Sequence, residues 1–291
     1  MLSNALLAPL LALAWLLAQL PIGLSGPLAS ACGPLLARVF SSRRAVAERN
    51  LELCFPEKSP AARAELLALN FRSLGVAVIE FIVAWWGGRQ ALPRITRLDG
   101  LEHLLFARER GQGVLLVSGH FHTLELCGRL LTAHVPVAGM YRPHEQPLLE
   151  WAVQKGRKRY ALSMYTREQL KSAIKHLKAG GVLWYAPDQD YRRGESVFAP
   201  FFGIPAASLK ATHQLARLGH ALVIGFEHRR DGAGYALKLH PPLQNFPSAD
   251  PAADTARVNA LIEQMVRAAP AEYLWIHKRF KTRPEGEPSL Y

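Results

Sequence analysis

Very little of this chain is cysteine, and its first stretch carries no charge at all. Three cysteines, Cys32, Cys54 and Cys127, stand far apart in 291 residues. An odd number without Cys-x-x-Cys spacing argues against a disulfide framework and a cysteine-based metal site, and a reducing compartment fits it best. No Gly-x-Ser-x-Gly elbow and no P-loop occurs, which disfavours serine hydrolases and P-loop nucleotide hydrolases. Acidic residues are scarce beside basic ones, 23 against 35, for a formal charge of +12. An excess of that sign suggests an anionic partner: a phospholipid surface, nucleic acid or an acidic protein. Internal repeats and low-complexity tracts are missing too. The length suffices for one large domain or two small ones.

From Met1 to Ala37 no side chain is charged, and Leu2 to Leu20 is almost wholly apolar. That run is about long enough to cross a bilayer core. It lacks the basic leader and shorter apolar core of a cleaved signal peptide. Pro9 and Pro21 leave open a tilted or partly embedded segment. Arg38, Arg43, Arg44 and Arg49 follow, opposed by Glu48 alone. Positive charge on that flank places the following domain in the cytoplasm. The expected division is a membrane-anchoring segment, 1–37, and a single α/β domain, 38–291.

Residues 44 to 90 read as helical. Ser59-Pro60 supplies a cap and a first-turn proline for a helix reaching Trp86 and ended by Gly87-Gly88. The Trp85-Trp86 pair suits a membrane interface or a core equally. Beyond Leu98 strands and helices alternate. Strand candidates are 114–117, 135–141, 182–186, 221–226 and 235–239, and helix candidates include 148–158, 168–178, 208–218 and 255–268. Alternation of this kind predicts an α/β fold with a mostly parallel central sheet flanked by helices.

The most informative stretch is Val114-Leu-Leu-Val-Ser-Gly-His120-Phe-His122-Thr-Leu-Glu125. A buried strand breaks at Ser118-Gly119 and a helix follows, so His120 sits where α/β proteins place their chemistry. On one continuous helix the five-residue step to Glu125 turns the side chain by roughly 500°, leaving the two about 140° apart. They meet only if His120 lies in the turn and Glu125 reaches back from the first turns of the helix. A carboxylate so placed makes the histidine a competent general base. A structural histidine beside a solvated glutamate fits the same spacing.

Two further clusters stand out. Between Arg142 and Lys178 there are nine basic residues against three acidic ones. No nucleic-acid-binding fold or aromatic stacking motif accompanies them, so an anionic headgroup or an acidic carrier protein fits better, as does a solvated helix face. After the 182–186 strand comes Asp188-Gln-Asp190-Tyr191-Arg192-Arg193. It suits a divalent ion, as in a metal-dependent glycosyltransferase, a carboxylate that positions arginines, or a capped turn. No downstream His and Asp cluster completes a coordination sphere for His120 and His122, so no metal and no cofactor is expected.

Taken together the motifs resemble the late acyltransferases of lipid A biosynthesis, the lauroyl and myristoyl type. The matching elements are Arg49-Asn-Leu-Glu-Leu-Cys-Phe-Pro56, His120-x4-Glu125, Tyr141-Arg142-Pro143, Gly156-Arg157-x-Arg159, Trp184-Tyr-Ala-Pro-Asp188-Gln-Asp190-Tyr191, Ser196-Val-Phe-x-Pro-Phe-Phe-Gly203 and His277-x-Arg279-Phe-Lys-Thr-Arg-Pro284. They span nearly the whole chain. His122 departs from the usual uncharged residues inside the His-x4-Glu motif, which makes it a second titratable candidate.

The resemblance implies a glycerolipid-acyltransferase-like fold at the cytoplasmic face of a Gram-negative inner membrane. It also implies transfer of a fatty acyl chain, laurate or similar, from acyl carrier protein. The acceptor is the hydroxyl of a hydroxyacyl chain on a phosphorylated, Kdo-bearing lipid A precursor. His120 then takes the hydroxyl proton and Glu125 orients it. Arg157 serves the oxyanion or a substrate phosphate, with Asp188 holding it in place. Tyr141, Arg142, Arg159 and Asp190 are expected on the substrate. Phe198, Phe201, Phe202 and Ile204 suit an acyl groove or a core. A non-enzymatic lipid-binding protein is the remaining alternative, and no nucleic-acid partner is expected.

Overall fold

The computed structural model describes residues 4–191 and 196–291. Met1, Leu2 and Ser3 of the apolar run and Arg192 and Arg193 of the polar cluster lie outside the described residues. In chain order the elements begin with five helices: α1 (Asn4–Leu17), α2 (Ile22–Ala31), α3 (Gly33–Val39), α4 (Ser41–Cys54) and α5 (Pro60–Trp86). Strands and helices then alternate: β1 (Ile95–Asp99), α6 (Leu101–Glu109), β2 (Val114–Val117), α7 (Leu124–Thr132), β3 (Val137–Met140), α8 (Pro147–Arg157), β4 (Met164–Tyr165), α9 (Leu170–Lys178) and β5 (Val182–Tyr185). A hairpin, β6 (Ser196–Phe201) and β7 (Ile204–Leu209), leads to α10 (Ala211–Gly219), β8 (Leu222–Asp231), β9 (Gly234–Leu239) and α11 (Pro251–Ala268).

Seven strands form one sheet in the order β1-β9-β8-β2-β5-β3-β4. Every pairing in it is parallel except β8 with β9. β2 sits near the middle, and its continuous run Val-Leu-Leu-Val is fully buried, as a strand covered on both faces requires. Side chains alternate across a strand. Val114 and Leu116 therefore join the core under α5, α6 and α7, and Leu115 and Val117 the core under α9, α10 and α11. Each such leucine contributes about 1.5–3 kcal/mol.

The helix α5 ties the two cores together. Leu66, Leu67 and Phe71 pack into one and Ile79, Ile82 and Val83 into the other. Its start is the expected one: Ser59 Oγ accepts the Ala62 N–H at 3.2 Å, and Pro60 opens the first turn. Among the described residues α5 alone is long and apolar enough to cross a membrane, and 61% of its most apolar window is buried inside the protein. The apolar segment at the start of the chain, expected as a membrane anchor that spans or is partly embedded, is divided in its described residues among α1, α2 and α3. Pro21 stands at the N-cap of α2 and Pro34 in the first turn of α3, where proline costs no hydrogen bond.

Two other expectations change in place. The helix expected from Ser208 begins only at Ala211, because Ser208 pairs with Val197 in the hairpin. Two phenylalanines at the turn of that hairpin join the core, while Phe198 is exposed. Phe201 is buried against Phe202, Tyr273 and Phe280, and Phe202 packs on Phe55 and Trp275. Trp85 is a core residue, with its indole N–H spent on Glu125 at 2.8 Å.

Candidate active site

The register of two neighbouring strands builds the site. Val117 on β2 is paired with Tyr185 on β5, in parallel. Three residues beyond those partners the chain has reached His120 on one side and Asp188 on the other. Loops leaving adjacent parallel strands at the same level stay side by side, and the two side chains meet. Asp188 Oδ1 accepts from His120 Nδ1 at 2.5 Å, and Oδ2 accepts the His120 backbone N–H at 2.8 Å. Tyr273 gives the same carboxylate a further hydrogen bond. Asp188 is buried, and its pKa is held low: burial works against the carboxylate, but the charge and hydrogen bonds of His120 and the Tyr273 bond outweigh it.

His120 behaves in the opposite sense. Burial disfavours its cation, yet the Asp188 charge and hydrogen bond prevail and raise its pKa above 6.5. With Nδ1 engaged, Nε2 is the nitrogen left to take a proton, and the side chain is 33% exposed. A bound, oriented imidazole with one free nitrogen is the arrangement a general base needs.

The His120 turn is pinned from below by the segment after α11. Leu274 N–H bonds the His120 carbonyl at 2.9 Å, His122 N–H bonds the Glu272 carbonyl at 2.7 Å, and Phe121 bridges to Tyr273. His122 is buried and faces away from this chemistry. Arg230 Nη1 donates to Ser73 Oγ at 2.6 Å, so the Ser73 hydroxyl is left to donate to His122 Nδ1 at 2.7 Å. Burial, and then the charge of Arg230, push the His122 pKa down to about 3, so it is neutral at physiological pH. Arg230 itself forks onto Glu80 at 2.6 and 2.7 Å.

Glu125 lies in the first turn of α7, as expected, but its carboxylate does not serve His120. Arg157 Nε and Nη2 donate to its two oxygens at 2.7 and 2.6 Å, Tyr160 OH at 2.5 Å and Trp85 Nε1 at 2.8 Å. The expected partners are thus exchanged: Asp188 holds His120, and Glu125 holds Arg157. The physical reason is direction. α7 packs on α5, and α8 packs on α5 as well, so a side chain at the start of α7 points into the seam between those helices. Gly156 makes the seam close enough, since a Cβ there would stand 2.4 Å from Trp85 Cβ. Burial opposes the Glu125 charge, but the Arg157 charge and the three donors outweigh it and lower its pKa.

The remaining candidates are spread around this centre. The Tyr141 ring lies 5.5 Å from the Arg157 guanidinium, and its hydroxyl bonds Glu150 and Gln154. Arg159 donates to the Trp85 carbonyl at 3.1 Å. Arg142 is exposed beside Glu145. Asp190 turns away: both its oxygens take Thr282, at 3.0 Å each, and its N–H donates to His277 Nε2 at 2.9 Å. Asp188 and Asp190 therefore do not face a common ligand position, contrary to the glycosyltransferase reading. Tyr273 and Tyr160 were not singled out from the sequence, and Trp85 only as a core or membrane-interface residue; separations of 85, 35 and 40 residues from their partners leave no local signal.

A family model for bacterial lipid A biosynthesis acyltransferases matches residues 2–282. The chain belongs to that family. It is therefore an acyltransferase of lipid A biosynthesis. The chain is 41% identical to the lipid A biosynthesis lauroyltransferase of Escherichia coli (strain K12), over 95% of this chain and 92% of that one. It is 39% identical to the palmitoleoyltransferase of the same organism, over 95% and 91%. A lipid A biosynthesis acyltransferase of Haemophilus influenzae is 38% identical over 87% of this chain and 83% of that one.

Proposed function

We propose that this acyltransferase moves a fatty acyl chain, laurate or similar, from acyl carrier protein to a hydroxyacyl chain on a phosphorylated, Kdo-bearing lipid A precursor. The cytoplasmic face of a Gram-negative inner membrane is the place we assign to it, with residues 1–37 anchoring a domain of residues 38–291. The observation that carries the reading is the His120–Asp188 pair at the carboxyl end of β2, with Nε2 of His120 unspent.

The chemistry follows from that geometry. His120 Nε2 removes the acceptor hydroxyl proton as the oxygen attacks the thioester carbonyl. Asp188 stabilises the imidazolium so formed. The C–O bond forms, the carbonyl electrons collect on oxygen, and their return expels the thiolate, which takes the proton from His120. Arg157 is the cation assigned to the oxyanion or a substrate phosphate. Glu125, Tyr160, Trp85 and the Tyr141 ring fix its direction. Arg142 and Arg159 supply further positive charge for an anionic acceptor or an acidic carrier. Tyr141 and Asp190 act at one remove, the first beneath Arg157 and the second by anchoring the segment at Thr282.

The test is purified protein with acyl carrier thioester and the lipid A precursor, followed by mass spectrometry of the product. Transfer is expected from the native chain and at least a hundredfold less from His120→Ala, which removes the general base. A His120→Ala variant that folds and turns over normally refutes the base assignment. Transfer from another thioester, with none from the carrier, refutes the donor.

A further inference from the structure

Helices α1, α2 and α3 hold no charged residue up to Ala37, and they lie against α5 rather than apart from it. Their packing is close: a Cβ on Gly75 of α5 would stand 2.2 Å from the Ala29 carbonyl of α2, and one on Gly33 of α3 would stand 2.7 Å from Arg72 of α5. This layer buries one side only. Leu13 and Leu16 of α1, Leu24 and Leu28 of α2, and Leu35 and Val39 of α3 are all exposed, Leu28 to 74%. Between α2, α3 and α5 an apolar cleft of ≈ 400 Å³ opens onto the same side, with Leu20, Leu36 and Val78 on its walls. Exposed aliphatic surface spread over three consecutive helices is far beyond what a water-facing protein tolerates.

As described, from Asn4 on, α1 measures about 21 Å with its 14 residues and α2 about 15 Å with its 10, both short of about 30 Å of hydrocarbon. The one long apolar helix, α5, is committed at its centre to the buried Arg230–Glu80 pair and to the Ser73–His122 contact. Where the apolar layer ends the charge changes at once: Arg38 in the last turn of α3 and Arg43 and Arg44 at the start of α4 are exposed. Guanidinium groups at the rim of an apolar face match anionic headgroups above acyl chains.

We propose that α1–α3 form a platform sunk into a single leaflet of an anionic bilayer, without crossing it. The start of the chain and the catalytic turn then lie on the same side of the membrane. The inference rests on the membrane location given under Proposed function, and its test separates the two.

The full chain, with Cys32→Ser to remove the exposed thiol, is given one new cysteine at a time: Ser3→Cys at the start, or Lys171→Cys on the exposed face of α9. Membrane-impermeant maleimide is applied to intact spheroplasts and to inverted inner-membrane vesicles. Both sites should label in inverted vesicles and neither in spheroplasts. Labelling of Ser3→Cys from the face opposite Lys171→Cys overturns the one-leaflet placement and leaves the membrane location standing. Purified chain should float with vesicles containing anionic lipid. Replacing Arg38, Arg43 and Arg44 by Gln should weaken that binding by about a hundredfold, taking each cation as about fivefold. Leu24→Asp with Leu28→Asp should abolish it while transfer to detergent-dispersed acceptor persists. Unaltered binding by the leucine variant overturns the platform, and failure of the native chain to bind any vesicle overturns the membrane location as well.

Discussion

Replacing Asp188 by Asn keeps the shape of the His120 contact and removes its charge. At an effective dielectric of 20, unit charges 4 Å apart attract by about 4 kcal/mol. The His120–Asp188 contact is shorter, 2.5 Å, but the imidazole is one-third exposed and partly screened. A loss of roughly 3–4 kcal/mol of imidazolium stabilisation corresponds to a fall in kcat of about 10²–10³. It stays within the 10²–10⁴ that a positioned base contributes in total. The pH profile adds a second, independent reading. Asp188 holds the His120 pKa above 6.5, and burial alone would lower it. The base must be unprotonated, so the acid limb of kcat/KM in Asp188→Asn should move to lower pH. In Glu125→Gln the same limb should stay where it is, because Glu125 faces Arg157. Steady-state rates from pH 5 to 9, with folding checked by circular dichroism, decide the matter. Activity within threefold of native for Asp188→Asn, or a limb that moves in Glu125→Gln instead, refutes the pairing seen here.

Other expectations follow from the same contacts. Arg157→Met should destabilise the fold by about 3–5 kcal/mol, since it strands the buried Glu125 carboxylate, and combining it with Glu125→Gln should cost less than the sum, as chemical denaturation of all four chains would show. Gly156→Ala forces α8 away from Trp85 and should cost about 1–3 kcal/mol in the same assay, with transfer reduced because Arg157 moves. Glu272 is raised to about 7, chiefly by burial and also by the nearby Glu80 charge, with Arg230 opposing. Its folded pKa exceeds the unfolded one, so stability should fall as pH rises from about 4.5 to 7. Glu272→Gln should therefore raise the melting temperature at pH 8 and leave it nearly unchanged at pH 4; an equal shift at both would refute the assignment.

How the network around Ser73 is arranged bears on the chemistry as well. Arg230, Glu80 and Ser73 join the middle of α5 to the His122 side chain, and the Glu272 and Leu274 links hold the other side of the turn. The turn that carries His120 is thus fixed by three segments far apart in the chain. A base held this firmly spends little entropy on reaching its reactive position.

The sequence by itself determined the alternation of elements, the buried strand 114–117 and the placement of His120 in a turn before a helix. Those features are local: hydrophobic runs, Gly and Pro punctuation, and the angular step of a helix act over a few residues. It also singled out His120, Glu125, Arg157 and Asp188, which the fold joins in two charge-paired contacts. Only the tertiary structure decided who pairs with whom. Asp188 reaches His120 because β5 lies beside β2 in parallel with Tyr185 opposite Val117, a register no stretch of either strand encodes. Glu125 reaches Arg157 because α7 and α8 share a seam on α5, closed where Gly156 meets Trp85. The fate of the uncharged first 37 residues is of the same kind. Composition made them apolar, but packing on α5 divides the described ones, from Asn4 on, among three helices.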